Sequence, residues 1–403
     1  MRRNDTADSR QREPMLDEAA MAHSARVRGY LAEQIDAAGG WLSFERFMDL
    51  ALYAPGLGYY SGGAEKLGPG GDFTTAPEVS GLFGACVAAQ CAEVLENLAH
   101  GSILEIGAGS GRLAADILSR LHAGRQVPER YAILEISADL RQRQRQRLAQ
   151  SVPHLLDRVC WLDQPPGEDF DGVILANEVL DALPLARFRW RTDGVDELGV
   201  GLRDGGFEWA AAPASPAMQA QCRRLREAGS WHEAGGWDDG YVSEYCPRVI
   251  AFTQAVTRSL RRGAALWFDY GLPRAQYYLP ERHDGTLICH FRHQASSDPF
   301  VNVGLQDISA WVDFTLLAEA SRESGFELAG FTTQAHFLAG TGIDREMQRS
   351  GADDPNESAR LANQARRLML PGEMGERFKA MAWLRGMDTP LSGFALKDLR
   401  HTL

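Results

Sequence analysis

Ser102-Ile103-Leu104-Glu105-Ile106-Gly107-Ala108-Gly109-Ser110-Gly111 is the stretch on which the fold turns. An apolar strand runs into an acidic residue and then into glycines at alternate positions, and a helix begins near Arg112. A strand, a glycine turn and a helix N-terminus in that order make a nucleotide site. A dinucleotide fingerprint needs glycine at the first, third and sixth positions of the turn. Here Gly111 holds the fifth and Arg112 the sixth. Glu105 beside the turn would repel a pyrophosphate, whereas its carboxylate suits a cofactor carrying ammonium and sulfonium charges. S-adenosylmethionine (SAM) is such a cofactor. The turn therefore points to methyl transfer, and an NAD-dependent oxidoreductase is disfavoured by the glycine spacing.

Downstream of the turn, strands and helices alternate, the pattern of a parallel sheet with helices on both faces. Strands are expected near 102–106, 131–136, 158–162 and 171–176, with helices near 112–121 and 138–149. Residues 185–210 alternate like a hairpin or small meander, and 215–262 read as mostly helical and polar. Ala264–Asp269 reads as a fifth central strand, followed by a second interruption over 271–312. A helix near 313–324, a strand near 326–332, a helix near 356–370 and a strand near 378–385 close the chain. The expected fold class is α/β: seven central strands with one late antiparallel pair would match the Rossmann-like sheet of a class I SAM-dependent methyltransferase.

Upstream, residues 16–36 carry helical spacing, with Val27, Leu31 and Ile35 on one stripe. A second helix is expected from about Phe44 to Leu52, then a glycine-dense loop from Gly56 to Gly71, then a helix over 80–98 feeding the first strand. The chain thus divides into a disordered tail at 1–15, an N-terminal helical cap with its glycine-rich loop at 16–98, and a methyltransferase domain at 99–403. Insertions interrupt that domain at about 185–262 and 271–312.

At 403 residues and 44% hydrophobic, the chain can bury a sizeable core. A net charge of −12 argues against a general nucleic-acid binder and suits a basic protein partner or a cationic side chain as substrate. Cys86, Cys91, Cys160, Cys222, Cys246 and Cys289 are scattered without Cys-x-x-Cys spacing, so a reducing compartment is expected. His283, His290 and His293 with Cys289 match no common zinc spacing, and no metal is expected. No run of about 18 apolar residues exists, so no membrane span is expected. Asp5, Asp8 and Glu13 spoil an organelle-targeting reading of the N-terminus, and a cytoplasmic protein is expected. The biased run Arg141-Gln142-Arg143-Gln144-Arg145-Gln146-Arg147 reads as the solvated face of a helix.

Ligands of open α/β sheets bind beyond the carboxyl ends of the strands. Gly107, Gly109 and Gly111 let the backbone approach the cofactor there. Glu135 ends the second strand, where a carboxylate can accept bonds from both ribose hydroxyls. Asp163 follows the third strand and could meet the adenine amino group, or serve as a plain turn residue. The fourth strand ends in Asn177-Glu178-Val179-Leu180-Asp181-Ala182-Leu183-Pro184, which sets two acids and an amide where this sheet presents substrate to the methyl group. Capping of a helix N-terminus is the plainer use of such residues. Tyr270, after Asp269 at the end of the fifth strand, could wall the same cleft, and Asp269 could be a structural cap.

These motifs together resemble the MidA-like family, whose members include the mitochondrial complex I assembly factor 7, a SAM-dependent protein arginine methyltransferase. The resemblance rests on an ordered set that begins with Tyr53-Ala54-Pro55-Gly56-Leu57-Gly58-Tyr59-Tyr60 and Gly71-Asp72-Phe73-Thr74-Thr75-Ala76-Pro77-Glu78. It continues through Leu104–Gly111, Asn177–Pro184, Phe268-Asp269-Tyr270-Gly271 and Gln306-Asp307-Ile308, and spans about Tyr30 to Arg385. The chain departs from the family pattern around the last motif, at Leu305 and Trp311.

The resemblance implies that Gly71 to Thr75, with Asp72, Thr74 and Thr75, folds over the cofactor beside Glu105. It also implies an arginine-bearing protein substrate, with a respiratory-complex subunit among the candidates. A guanidinium stays charged at any ordinary pH, so carboxylates must orient it and take the proton released on methylation. Glu178 and Asp181 are expected to do that work, with Asn177 fixing the planar group. The alternative is a SAM-binding assembly factor or chaperone with little catalysis, for which the acidic surface and the two insertions would serve docking.

Overall fold

Seven strands form the main path of the eight-stranded central sheet, β1 (Ser102–Ile106), β2 (Tyr131–Leu134), β3 (Val159–Leu162), β4 (Phe170–Asn177), β5 (Leu260–Leu272), β6 (Glu327–Thr333) and β7 (Phe378–Arg385), and the short strand Val312–Asp313 pairs with β5 off that path. Their order is β3-β2-β1-β4-β5-β7-β6, with β7 antiparallel to both of its neighbours and the first five strands parallel. This is the class I methyltransferase sheet that the alternation of elements foretold. The computed structural model describes residues 16–62, 74–227, 236–351 and 354–403. The expected tail at 1–15 and Asp72 lie outside the described residues.

Strands covered on both faces must be apolar at every position. On β4, Val173 and Leu175 face a core with Phe83, Val87, Ile117 and Phe268, while Ile174 and Ala176 face the opposite core with Trp267, Phe314, Met381 and Trp383. Gly81–Leu95, which the sequence grouped with the N-terminal cap, packs in the first of these cores beside the helix Arg112–Ala123. It belongs to the central sheet.

The N-terminal helices and the two insertions share a second centre. Leu42–Ser43 pairs with Gly194–Arg203, which also pairs with Ala186–Arg191 and Gly206–Pro213 in an antiparallel sheet. Val27, Leu31 and Ile35 from Glu18–Ala37 are buried with Phe47, Val200, Cys289 and Ile308. Cap and insertions thus form one layer over the carboxyl end of the sheet.

Several expectations need correction. The segment 215–262 holds, besides helices Pro216–Glu227 and Val249–Thr257, a strand Val242–Tyr245 that completes the meander against Ala186–Arg191. Strand β5 is longer than Ala264–Asp269, because Gly271 and Leu272 still pair, in parallel, with Val312 and Asp313. Helices Gln334–Thr341 and Ile343–Gly351 were not foreseen. The first buries Gln334, Phe337, Leu338 and Thr341, so polar and apolar residues share its inner face and no clean stripe shows. The Arg/Gln run is not uniformly solvated: Gln144 is completely buried.

Candidate active site

The strand order reverses between β1 and β4, and a cavity of about 640 Å³ opens beyond their carboxyl ends. Its floor on one side is the turn after β1. Gly107, Gly109 and Gly111 all have left-handed backbones, at φ +64°, +52° and +79°. Gly107 and Gly109 line the cavity, and Gly111 starts the helix Arg112–Ala123 behind them. A Cβ on Gly111 would lie 3.1 Å from the Gln144 backbone, so close helix packing as well as φ demands glycine here.

Glu105 lines the same end, with its carboxylate accepting a hydrogen bond from the Tyr131 hydroxyl at 2.8 Å. Burial pushes its pKa up to about 7. Glu135, at the end of β2, accepts from the Ser137 backbone N–H at 2.9 Å and from Gln144 Nε2 at 3.1 Å. Burial raises its pKa too, partly offset by these donors. Gln144 Nε2 also donates to the Gly109 carbonyl at 3.0 Å, and its Oε1 accepts from Trp161 at 2.9 Å. One buried amide therefore ties the glycine turn to the acid of β2. The periodic run around it gave no hint of this.

Opposite lies the loop after β4. Asn177 and Glu178 line the cavity, and Glu178 has a left-handed backbone at φ +53°, unusual for a side chain of its size. Asp269 fixes this loop from the end of β5: its carboxylate accepts from the N–H groups of Leu180 (3.0 Å) and Asp181 (3.3 Å). It is the structural cap anticipated as one of its two uses. Asn177 Nδ2 donates to Glu178 at 3.1 Å, and the Ala76 N–H lies 3.4 Å from the same oxygen. Burial first, then the neighbouring Asp181, pushes the Glu178 pKa up to about 8. The Asn177 Oδ1 is buried and has no hydrogen-bond partner among the described residues.

The structure does not bring all the expected residues together. Asp181 stands outside the cavity lining; its carboxylate accepts from the Tyr270 hydroxyl, and Tyr270 does not line the cavity either. Asp163 is 83% exposed and pairs with Arg141, turned away from the cavity. Thr75 lines the cavity whereas Thr74 does not. The N-terminal cap and the first insertion supply further lining residues that were not foreseen: Asp49, Tyr53, Tyr60, Glu78, Arg248 and Phe252. Glu78 accepts from the Ser110 hydroxyl of the glycine turn. Of these, Tyr53, Tyr60 and Glu78 sat in quoted motifs without a role, while Arg248 and Phe252 carried no signal.

This donor set fits SAM. Glu105, Glu135 and Glu178 belong to the lining, a buried amide oxygen of Asn177 beside them has no partner among the described residues, and Arg112 beside the turn is held by Asp116 at 2.8 Å. A cation is welcome there and a pyrophosphate is not. Among the described residues no helix is long and apolar enough to cross a membrane.

Comparison with known proteins agrees with this chemistry. The family model described as "Putative S-adenosyl-L-methionine-dependent methyltransferase" matches residues 86–332. The mitochondrial protein arginine methyltransferase NDUFAF7 of Danio rerio is 30% identical over 388 residues, covering 87% of this chain and 85% of that protein. Its Mus musculus counterpart is 29% identical over 417 residues, covering 94% and 86%. A COG1565 superfamily member from Burkholderia thailandensis, solved bound to S-adenosyl-homocysteine, superposes with a TM-score of 0.91 at 41% identity, covering 97% of this chain and all of that one. The curated relatives are named mitochondrial, which overturns the expectation of a cytoplasmic protein. Unpaired cysteines indicate reducing conditions, and those do not single out one compartment. From the glycine turn, the acids around it, the sheet order and these matches, the chain belongs to the MidA-like family of SAM-dependent methyltransferases.

Proposed function

We propose that the protein methylates an arginine side chain of a protein substrate, as its curated relatives are named to do. The observation that carries this reading is Glu178 beside Asn177 in the lining opposite the glycine turn: Asn177 Nδ2 donates to the Glu178 carboxylate, and its buried Oδ1 has no partner among the described residues. A carboxylate and an amide oxygen together accept the N–H fork of a guanidinium. On the family resemblance, a respiratory-complex subunit is the first substrate to test.

SAM, when bound, supplies an electrophilic methyl on sulfur. Gly107 and Gly109 would let backbone approach it, Glu105 and Glu135 would offer acceptors for its ammonium and ribose, and Thr75 would line the same side. Glu178 orients the acceptor guanidinium so that one nitrogen points along the line of transfer. Its carboxylate then takes the proton released as the new N–C bond forms. Asn177 Oδ1 holds a second nitrogen and keeps the group flat. Asp181, which meets the loop from behind through Tyr270, acts as a positioning residue rather than a contact to substrate.

The test compares arginine methylation in the proteome of wild-type and deletion cells, then assays purified protein. Loss of one arginine mark on deletion is expected. Glu178→Gln should lower turnover about a hundredfold or more while SAM affinity, read by calorimetry, stays unchanged. Full turnover in that variant would remove Glu178 from the mechanism.

A further inference from the structure

The cavity has a side that the methyl-transfer chemistry above does not use. Tyr53, from the helix Phe44–Tyr53, and Tyr60, a few residues on, stack with ring centroids 5.5 Å apart and planes at 17°. Both line the cavity and are partly exposed to it. Their hydroxyls are committed elsewhere: Tyr53 donates to the Ala182 carbonyl at 2.8 Å, and Tyr60 to the Asp307 carboxylate at 2.9 Å. Burial, then the Asp307 charge, raises both phenols well above their ordinary value, so they stay neutral and cannot act as bases. What they offer the cavity is ring surface, held rigid at its polar end.

We propose that Tyr53 and Tyr60 form the acceptor subsite: an aromatic wall that, with Glu178 and Asn177, admits a planar guanidinium in preference to a tetrahedral ammonium. This rests on the arginine reading and adds the residues that select for it. A guanidinium is flat, weakly hydrated and able to lie along a ring while its edge forks to a carboxylate and an amide. An ammonium is compact and strongly hydrated, and it must give up water to approach a ring. Asp307 comes from the second insertion, on the strand Asp307–Ser309, and acts through Tyr60 as a positioning residue.

The experiment titrates the purified full chain, saturated with S-adenosyl-homocysteine, with two blocked tripeptides, Gly-Arg-Gly and Gly-Lys-Gly. Wild type should bind the arginine peptide about tenfold more tightly than the lysine peptide. Tyr53→Leu and Tyr60→Leu should each bring that ratio towards one without changing S-adenosyl-homocysteine affinity. Tyr53→Phe and Tyr60→Phe, which keep the ring, should hold the ratio within about threefold of wild type. A wild-type ratio near one overturns the proposal, as does a leucine variant that folds and still discriminates. Should the leucine variants not fold, the phenylalanine pair decides: a retained ratio supports the aromatic wall and a collapsed one overturns it. The arginine mark in cells tests the function separately, so a missing mark beside an intact ratio counts against the proposed reaction and not against this subsite.

Discussion

The two halves of the cavity are built in opposite ways. The half around the glycine turn is mostly local: Glu105, Gly107 to Gly111, Glu135 and Gln144 lie on β1, β2, the loops after them and the helices Arg112–Ala123 and Ala138–Ser151, with Thr75 and Glu78 added from the N-terminal cap. The half that faces it is assembled from four distant segments. Tyr53 and Tyr60 come from the N-terminal cap, Asn177 and Glu178 from β4, Arg248 and Phe252 from the first insertion, and Asp307 from the second, behind Tyr60. A cofactor common to a whole family can be held by a local, preorganised unit. An acceptor side chain is met by tertiary contacts, which insertions can alter while the sheet stays unchanged.

That contrast makes the two halves separable by experiment. The largest effect concerns pH. The folded-state pKa of Glu178, about 8, lies above its ordinary value of 4.5 because of burial and then Asp181. Raised in this sense, the group adds stability that is fully present below about 4.5 and is lost as pH rises through about 8. A bound cation reverses the preference, since it favours the ionised form. Affinity for an arginine peptide should therefore rise about tenfold per pH unit towards about 8 and then flatten. In Glu178→Gln the slope should vanish, whereas SAM affinity should follow Glu105, pushed up to about 7, and show the same pH profile in both proteins. A flat wild-type profile would separate Glu178 from the acceptor.

Next in size is Gly111→Val. A β-branched residue at φ +79°, with its Cβ 3.1 Å from Gln144, should cost about 1–3 kcal/mol. SAM affinity, measured by calorimetry, should fall about tenfold, while the arginine-to-lysine peptide ratio holds. Gln144→Leu releases Glu135 and the Gly109 carbonyl together, and should weaken SAM about fivefold with the same peptide ratio. If either change moved peptide discrimination as much as SAM affinity, the halves would be coupled and the contrast above would fail. Smallest is Asp163→Asn. Its pairing with Arg141 is mostly solvent-exposed, and SAM affinity should stay within about twofold.

What could be read in advance follows the same division. The glycine turn, the acid of β2 and the two-faced apolar strands are encoded over a few tens of residues, through turn chemistry and hydrophobic periodicity. They were legible for that reason. Asp181 and Asp163 mark where local pattern stops informing: both follow strand ends in the sequence. Direction at a strand end depends on register and on neighbours; Asp181 is turned to Tyr270 and Asp163 to Arg141. Gln144 shows the reverse error, a buried hub inside a run that looks solvated.

Sequence alone determined the sheet class and the charge preference of the cofactor end, because each depends on neighbours along the chain. Tertiary structure alone decided which acid of this loop lines the cavity, through the left-handed backbone at Glu178 and the cap from Asp269 on a different strand. It also decided that two tyrosines near the N-terminus line the cavity, with their hydroxyls anchored by Ala182 and by Asp307. Those anchors lie more than a hundred residues away. Contacts across such separations arise from packing of the whole chain, and no local pattern records them.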